Sequence, residues 1–295
     1  MKLLITGAKG QLGSQLINII ENGSSEIGSI PEQLKGSEII GIDIQELDLT
    51  NQEEVIKFVK RINPDVIINP AAYTNVDACE ENQDIAFKVN ALAARNMAMA
   101  AEVVGAKLIH ISTDYVFSGV GSMPIKEYDL PAPVSVYGKT KLAGEEFVKK
   151  YSSKHFIVRT AWLYGYNGKN FVYTIMKAAA EKGELNVVDD QRGNPTNAED
   201  LAHHLLKLTV SEEYGTYHCT GIGECSWFDF AEAIVEYSGI KCKVNPITSD
   251  KLVDRAAKRP AYSSLDNMML RCTVGDEMRD WKEALKVFIE KVNNH

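Results

Sequence analysis

The sequence has no long hydrophobic run and little cysteine. No stretch approaches the roughly 20 apolar residues that a membrane-spanning helix needs, and the apolar run at residues 3–5 is too short for the core of a signal peptide. The five cysteines are odd in number and form no Cys-x-x-Cys pair, which argues against a disulfide framework and against a zinc site. We therefore expect a protein that works in a reducing cytoplasm, away from the membrane.

Positive charge is also scarce. Lys and Arg number 32 against 40 acidic residues, for a net charge of −8, and no basic tract is present, so nucleic acid is not an expected partner. With 45% hydrophobic and 24% charged residues, the composition is that of an ordinary globular protein, and 295 residues suffice for one large domain or two smaller ones.

Three glycines lie at the first predicted strand–helix junction. Gly7, Gly10 and Gly13 stand between the apolar residues 3–5 and a helix-like segment at 15–20. Glycine lets backbone amides approach a pyrophosphate at a helix N-terminus. The spacing is Gly-x-x-Gly-x-x-Gly, and its setting between a strand and a helix predicts a dinucleotide-binding turn that includes Gln11 and Leu12.

An acid ends the second predicted strand, at residues 38–43. A carboxylate at this place can bind the adenosine ribose hydroxyls and would repel a 2′-phosphate, which favours NADH, although Lys9 nearby leaves NADPH open. Asp43 lies thirty residues past Gly13, beyond the usual gap of about twenty, because residues 21–37 look like an inserted loop. The competing interpretation of Asp43 is a strand-ending turn residue. Asp48 and Leu49 follow in a loop where an adenine could lie.

Small and hydroxyl-bearing residues follow two later strands. Ala71, Ala72 and Tyr73 come after the strand at 64–69, where a cofactor could cross the sheet edge. Ser112 and Thr113 end the strand that begins at residue 106, and their alternative role is turn capping. His110, inside the second of these strands, and Asn90, inside a long alanine-rich helix predicted over about residues 80–104, are expected to be structural, with Asn90 anchoring neighbouring backbone.

A tyrosine and a lysine face the same way on a predicted helix that starts near Ser135. Tyr137 and Lys141 are four residues apart, and a positive charge beside a phenol is expected to lower the phenol pKa for acid–base work. Many helices carry this pair on their surface by chance, so the pair needs support from the rest of the chain.

Strands and helices alternate regularly as far as about residue 165. This predicts an α/β fold with a Rossmann-like, doubly wound parallel sheet over residues 1–165. Residues 166–295 are predicted to form a smaller, discontinuous substrate-binding lobe, with some later segments returning to the first domain. A basic cluster at residues 255–260 either binds phosphates of a nucleotide substrate or is a solvated face.

Taken together, these motifs resemble the extended short-chain dehydrogenase/reductase superfamily, in its nucleotide-sugar branch. The resemblance covers nearly the whole chain. The stretches that carry it are residues 7–13, 64–69, 71–77, 112–117, 136–145, 159–162, 190–196 and 259–265.

The resemblance implies reduction, with NAD(P)H, of the C4 keto group of dTDP-4-dehydro-6-deoxy-L-mannose to dTDP-L-rhamnose. Tyr137 would donate the proton, Lys141 would lower its pKa and bind the nicotinamide ribose, and Thr113 would polarise the carbonyl. Asp114, Trp162 and Arg259 would contact the nucleotide-sugar substrate. The dinucleotide would be held by the turn, by Asp43, Asp48 and Leu49, and by residues 71–73.

Three points stay open. Some relatives dimerise through a metal held by a glutamate where this chain has Gln15, a poor magnesium ligand, so we expect no metal and a monomer or a differently built homodimer. A related epimerase or dehydratase would place a glutamate after Asp114, where Tyr115 stands. A non-catalytic regulatory subunit or redox sensor on the same fold would have lost Thr113, Tyr137 or Lys141.

Overall fold

A six-stranded sheet lies at the centre of the molecule. The computed structural model describes residues 1–252 and 255–294. The strands are β1 (Lys2–Thr6), β2 (Ser24–Ser25), β3 (Gly28–Ser29), β4 (Glu38–Ile42), β5 (Val66–Asn69), β6 (Lys107–Thr113), β7 (His155–Thr160), β8 (Leu163–Tyr164), β9 (Glu184–Val188), β10 (Arg192–Gly193), β11 (Thr196–Asn197), β12 (Gly215–His218), β13 (Cys225–Ser226) and β14 (Lys243–Ile247). The sheet order is β12-β7-β6-β5-β1-β4, and all its pairings are parallel.

Helices cover both faces of this sheet. They are α1 (Gln11–Asn22), α2 (Gln52–Ile62), α3 (Val76–Glu81), α4 (Gln83–Phe87), α5 (Ala93–Val104), α6 (Val136–Tyr151), α7 (Phe171–Lys182), α8 (Ala198–Thr209), α9 (Trp227–Ser238), α10 (Met268–Cys272) and α11 (Trp281–Asn293), with short 3₁₀ turns at Glu32–Leu34, Asp114–Val116 and Ser249–Lys251. Among the described residues, none of these helices combines the length and the hydrophobicity that a transmembrane segment requires.

Alternation along the strands builds the two main cores. Leu3 and Ile5 of β1 pack with α1 and α8 on one face, whereas Leu4 packs with α2, α5 and α6 on the other. Side chains point to opposite faces at successive strand positions, so a strand that is apolar throughout is buried on both sides. The predicted Rossmann-like parallel sheet is confirmed.

The long helix predicted over residues 80–104 is interrupted. It consists of α3, α4, a π-helical segment at Lys88–Leu92, and α5. Asn90 lies in the π segment, where its side chain accepts a hydrogen bond from the Tyr73 N–H at 2.8 Å and donates to the Tyr73 carbonyl oxygen at 3.1 Å. The single wide turn aims this amide at the loop after β5, so Asn90 anchors backbone as expected.

A second layer of structure follows β7. Strands β9 and β14 pair in parallel, and α7, α9 and α11 pack with them around a core that is rich in aromatic rings, here called the aromatic layer. Residues 198–218 do not lie there, because α8 packs on α1 and β12 extends the main sheet beside β7.

Candidate active site

A cavity of about 850 Å³ opens at the carboxyl ends of β1, β4, β5 and β6. The strand order reverses between β1 and β5, and ligands of doubly wound sheets bind at such a point. The cavity is lined by these residues singled out in the sequence: Gly7, Gly10, Gln11, Leu12, Gly13, Asp43, Asp48, Leu49, Ala71, Ala72, Thr113, Asp114, Tyr137, Lys141 and Trp162.

The glycine turn connects β1 to α1 at the floor of this cavity. A Cβ on Gly13 would lie 2.2 Å from the Gly7 carbonyl oxygen, so the turn closes this tightly only with glycine there. Gly10 is the N-cap of α1 and has no side chain to satisfy the first amides of the helix. The turn therefore presents free backbone N–H groups and a helix N-terminus to the cavity, which is the arrangement that binds a pyrophosphate.

Asp43 follows β4 at the cavity rim. Its carboxylate accepts a hydrogen bond from the Lys9 backbone N–H at 2.8 Å, which ties the end of β4 to the glycine turn. The Lys9 ammonium lies 3.6 Å from Glu46 and is largely exposed. Asp43 thus has a structural contact as well as a position on the cavity, and the two interpretations made from the sequence are compatible.

Helix α6 carries Tyr137 and Lys141 into the cavity. It begins at Ser135, whose hydroxyl accepts a hydrogen bond from the Gly138 N–H at 3.1 Å, as predicted for an N-cap. Gly138 lets the helix approach the loop after β6, because a Cβ at this position would lie 2.1 Å from the Tyr115 carbonyl oxygen. The first turn of α6 is consequently fixed beside Thr113 and Asp114.

The electrostatics of the pair differ from the expectation made from the sequence. Desolvation in the cavity raises the pKa of Tyr137, and the neighbouring Asp114 raises it further. Burial lowers the pKa of Lys141 to about 8, and its Nζ donates a hydrogen bond to the Ile111 carbonyl oxygen at 2.6 Å. The prediction that Lys141 lowers the Tyr137 pKa towards neutrality is wrong for this arrangement, because desolvation is the larger effect.

Thr113 and Asp114 lie buried where β6 ends. The Thr113 hydroxyl donates to Asp114 Oδ1 at 2.9 Å and accepts from the Tyr115 N–H at 3.2 Å, so it also caps the following turn. Asp114 Oδ2 has no partner at hydrogen-bond distance among the described residues, and burial raises the pKa of this carboxyl to about 6, against the opposing influence of the nearby Ser263 and Thr113 hydroxyls. An acceptor left open in a cavity wall is a place where a ligand hydroxyl could bind.

Two indoles also line the cavity. Trp162 adopts a left-handed φ of 46°, and its ring stacks on that of Trp227 with centroids 3.5 Å apart. Sequence reasoning singled out Trp162 but missed Trp227, which lines the cavity from the first turn of α9. The two residues are 65 positions apart, so no local pattern joins them.

Two of the sequence-derived residues do not line the cavity. Tyr73 is held back by its backbone bonds to Asn90, and its neighbours Ala72 and Thr74 reach the cavity instead. Arg259 forms an ion pair with Asp77, with Nη2 and Oδ2 2.6 Å apart. The guanidinium is therefore engaged outside the cavity wall.

Gln15 points away from the cavity and into a buried polar cluster. Its side-chain amide donates a hydrogen bond to Glu199, whose other oxygen accepts from the Glu26 N–H at 2.9 Å. The Glu199 carboxylate oxygen is therefore already bonded to the Gln15 amide N–H. A hydrogen-bond donor in that position would lie where a cation needs an acceptor, so the cluster does not suit a cation site. Among residues 1–252 and 255–294, no group of three or more His, Cys, Asp or Glu side chains is arranged to hold a metal ion.

Comparison with known protein families shows to which family the chain belongs. The family model described as the RmlD substrate binding domain matches residues 1–294. The chain belongs to this family. The resemblance to nucleotide-sugar short-chain dehydrogenases/reductases inferred from the motifs is thereby confirmed, and the RmlD family match extends through both the sheet region and the aromatic layer.

Individual relatives span the chain almost end to end. A crystal structure of a dTDP-4-dehydrorhamnose reductase from Clostridium acetobutylicum is 49% identical, with a TM-score of 0.92, and covers 99% of this chain and 100% of its own. The Bacillus anthracis dTDP-4-dehydrorhamnose reductase, solved in complex with NADP, is 43% identical, with a TM-score of 0.91 and coverage of 98% and 99%. The Bacillus subtilis spore coat polysaccharide biosynthesis protein SpsK is 38% identical over 98% of this chain and 97% of its own length.

Proposed function

We propose that the protein is an NAD(P)H-dependent dTDP-4-dehydrorhamnose reductase that converts dTDP-4-dehydro-6-deoxy-L-mannose to dTDP-L-rhamnose. One observation carries the proposal. Thr113, Tyr137 and Lys141, which suit carbonyl reduction, line the same cavity as a glycine turn that suits a dinucleotide. The relatives that bear this activity in their names are similar over their whole length.

Tyr137 would donate the proton that the C4 oxygen needs. The phenol carries its proton at neutral pH, since its ordinary pKa near 10 already lies well above 7 and burial raises it further, so a proton is available for the C4 oxygen. The Thr113 hydroxyl would donate a second hydrogen bond to the same oxygen in place of its present bond to Asp114. Two donors on one carbonyl oxygen stabilise the negative charge that develops there during reduction.

The cavity beside the glycine turn fits a nicotinamide dinucleotide, which supplies the hydride when bound. The free amides of the turn around Gln11 and Leu12 would meet its pyrophosphate, and Asp43 its adenosine ribose. Asp48 and Leu49 would flank the adenine, with Ala71 and Ala72 beside the middle of the cofactor. Tyr73 would contribute through its backbone only. Lys141 would bind the nicotinamide ribose with its ammonium.

The substrate would lie beside the two indoles. Asp114 offers an open carboxylate oxygen for a sugar hydroxyl, and the stacked indoles of Trp162 and Trp227 supply apolar lining beside it. Arg259 would meet the nucleotide end of the substrate, and this role requires it to share or leave its pair with Asp77.

We infer NADH as the preferred cofactor, with NADPH also able to bind. The Asp43 carboxylate at the rim disfavours a 2′-phosphate, while the exposed Lys9 ammonium nearby could partly offset that repulsion. We also infer a cytoplasmic protein, a monomer or a homodimer without a metal bridge. The Gln15 amide supports the second inference, and five cysteines that are all unpaired support the first.

The test is turnover of dTDP-4-dehydro-6-deoxy-L-mannose by the purified protein, followed as loss of nicotinamide absorbance with NADH and with NADPH in parallel. Tyr137→Phe should lower kcat by about 10²–10⁴-fold, since it removes the proton donor, and should leave NADH affinity nearly unchanged. Tyr151→Phe, on the last turn of the same helix, is the matched control and should keep full activity.

Three outcomes would count against the proposal. A folded wild-type protein without turnover would remove the reductase assignment. Full activity of Tyr137→Phe would remove the proton-donor role. A strong preference for NADPH would overturn the role given to Asp43.

A further inference from the structure

A buried ion pair lies beneath the predicted catalytic helix and takes no part in the chemistry above. Glu145 of α6 and Arg159 of β7 are 0% and 2% exposed. Arg159 Nε and Nη2 donate to the two carboxylate oxygens of Glu145 at 2.9 and 2.7 Å. A buried pair of this kind adds little stability relative to well-packed apolar side chains, so the reason for it lies in the geometry or charge it imposes.

The Glu145 carboxylate joins three elements of the site. Its Oε1 also accepts a hydrogen bond from the Ser112 hydroxyl of β6 at 2.6 Å. Ser112 and Arg159 are directly paired positions of neighbouring strands, and the next pair in the register is Thr113 and Thr160, which both line the cavity. One carboxylate thus fixes α6 across the ends of the two strands that lead into the active site.

The same helix face carries the reacting groups. Tyr137, Lys141 and Glu145 follow one another at intervals of four residues, so they lie along one side of α6. Lys141 donates to the Ile111 carbonyl oxygen and Glu145 accepts from Ser112, which makes two successive attachments of the helix to β6. A shift of α6 along the sheet would break both.

Glu145 is also the negative charge that favours the ammonium form of Lys141, against the desolvation that lowers the Lys141 pKa to about 8. On β6, burial lowers the pKa of His110 well below its ordinary value, and the Lys141 ammonium lowers it further, so the imidazole is neutral. Arg159 faces the carboxylate from β7. Other ionisable groups beside α6 include Asp114 and Tyr115 from the turn after β6, Cys79 and Glu80 from α3, and Arg95 of α5, which lies over the Phe147 ring at 5.9 Å.

We propose that Glu145 is a positioning residue of the reductase, which clamps α6 to the paired ends of β6 and β7 and provides the countercharge of Lys141. This rests on the proposed function for the roles of Tyr137 and Lys141, but the clamp itself is independent of the substrate. Arg159 is held in place on its other side, over the Phe117 ring at 5.0 Å and beside His218, so the carboxylate meets a rigid partner.

The charge is tested by titrating the Lys141 ¹³Cε resonance in protein labelled with [¹³C]lysine, assigned by the peak missing from Lys141→Met. Glu145→Gln keeps the shape and the Ser112 contact but removes the negative charge, so the midpoint should move to lower pH than in the wild type. The alkaline limb of kcat/KM should move in the same direction. An unchanged midpoint overturns the proposal, and the titration needs neither substrate nor cofactor, so it stands even if the proposed function fails.

A double variant tests the clamp and protects against misfolding. Glu145→Leu with Arg159→Met removes both buried charges and all the hydrogen bonds of the carboxylate, a replacement that buried ion pairs tolerate. We expect lower kcat with KM nearly unchanged, together with the acid-shifted Lys141 midpoint. Wild-type kcat and midpoint in this variant overturn the proposal. Glu146→Gln is the control, because Glu146 is exposed on the same helix and its ion pair among the described residues is with Lys149 at 2.8 Å; it should change neither quantity.

Discussion

The cores on the two faces of the main sheet are packed mostly from Leu, Ile, Val and Ala, whereas the core around β9 and β14 combines aliphatic side chains with many aromatic rings. The aliphatic residues come from strands and helices that repeat every two or every three to four positions. The rings come from separate segments, and Tyr164, Phe171, Phe230 and Phe288 meet although they are distant in the chain. The aliphatic cores can thus be anticipated from local sequence pattern, whereas the ring–ring contacts of the aromatic layer cannot.

The division extends to the cavity. The sheet region supplies the glycine turn and the Tyr137–Lys141 helix, and the aromatic layer supplies Trp162 and Trp227. If the two regions bind different ligands, substitutions in each region should affect the binding of a different ligand. Changes in the aromatic layer should weaken the sugar site and spare the cofactor, and changes in the turn should do the reverse.

The largest effect is expected for Phe288→Ala in the aromatic layer. Phe288 is fully buried, stacks on Tyr166 with ring centroids 4.7 Å apart and touches Tyr164 at 5.2 Å, so its removal should lower the free energy of unfolding by about 3–5 kcal/mol. Because those tyrosines flank the segment that leads from Trp162, the KM for the sugar should rise while NADH affinity is retained. Denaturant unfolding and NADH titration measure the two quantities.

The matched control for that variant is Phe156→Ala. Phe156 is equally buried, but it lies near the start of β7, away from the cavity, and packs against Tyr214 and Tyr217. Phe156→Ala should lower the free energy of unfolding by a similar amount and should leave NADH affinity and the KM for the sugar unchanged. Loss of NADH binding in Phe288→Ala, in protein that is still folded, would contradict the division of tasks.

A smaller effect is expected for Gly13→Ala in the turn. The added Cβ would lie 2.2 Å from the Gly7 carbonyl oxygen, and relieving the clash must open the turn. An overpacking cost of about 1–3 kcal/mol corresponds to a loss of NADH affinity of roughly 10–100-fold if it falls on the bound state. The unfolding free energy should fall less than in Phe288→Ala.

Gly23→Ala serves as the control for the turn, since Gly23 ends the same helix with open space around its Cβ position. That variant should lose some stability, because its φ of 75° disfavours alanine, and should keep NADH affinity. Equal loss of NADH affinity in the two variants would show that the turn is not the contact that matters.

The contrast between the regions also explains how far sequence reasoning could go. The alternation of strands with helices, the glycine turn and the Tyr137–Lys141 spacing are local features of the sequence, and they locate most of the residues that line the cavity. Contacts between distant positions were not accessible, such as the stack of Trp162 on Trp227 or the pair of Arg259 with Asp77, 182 residues apart. The Tyr137 pKa was misjudged for a related reason, since a sequence shows the neighbouring charge but not the depth of burial.

The last effect appears only as the pH changes and concerns Asp114, which lines the cavity together with the indoles. Burial raises the pKa of its carboxyl to about 6, so its contribution to stability is complete below the ordinary value near 4 and is lost as the pH rises through 6. The difference in the free energy of unfolding between Asp114→Asn and the wild type should therefore shift by about 1–3 kcal/mol in favour of the variant from pH 4 to pH 8. Denaturant unfolding at both pH values measures this, with exposed Asp84→Asn as the control that should show no such gain. A constant difference between Asp114→Asn and the wild type would mean that the carboxylate is already stabilised in the folded protein, and that no acceptor remains open there for a sugar hydroxyl.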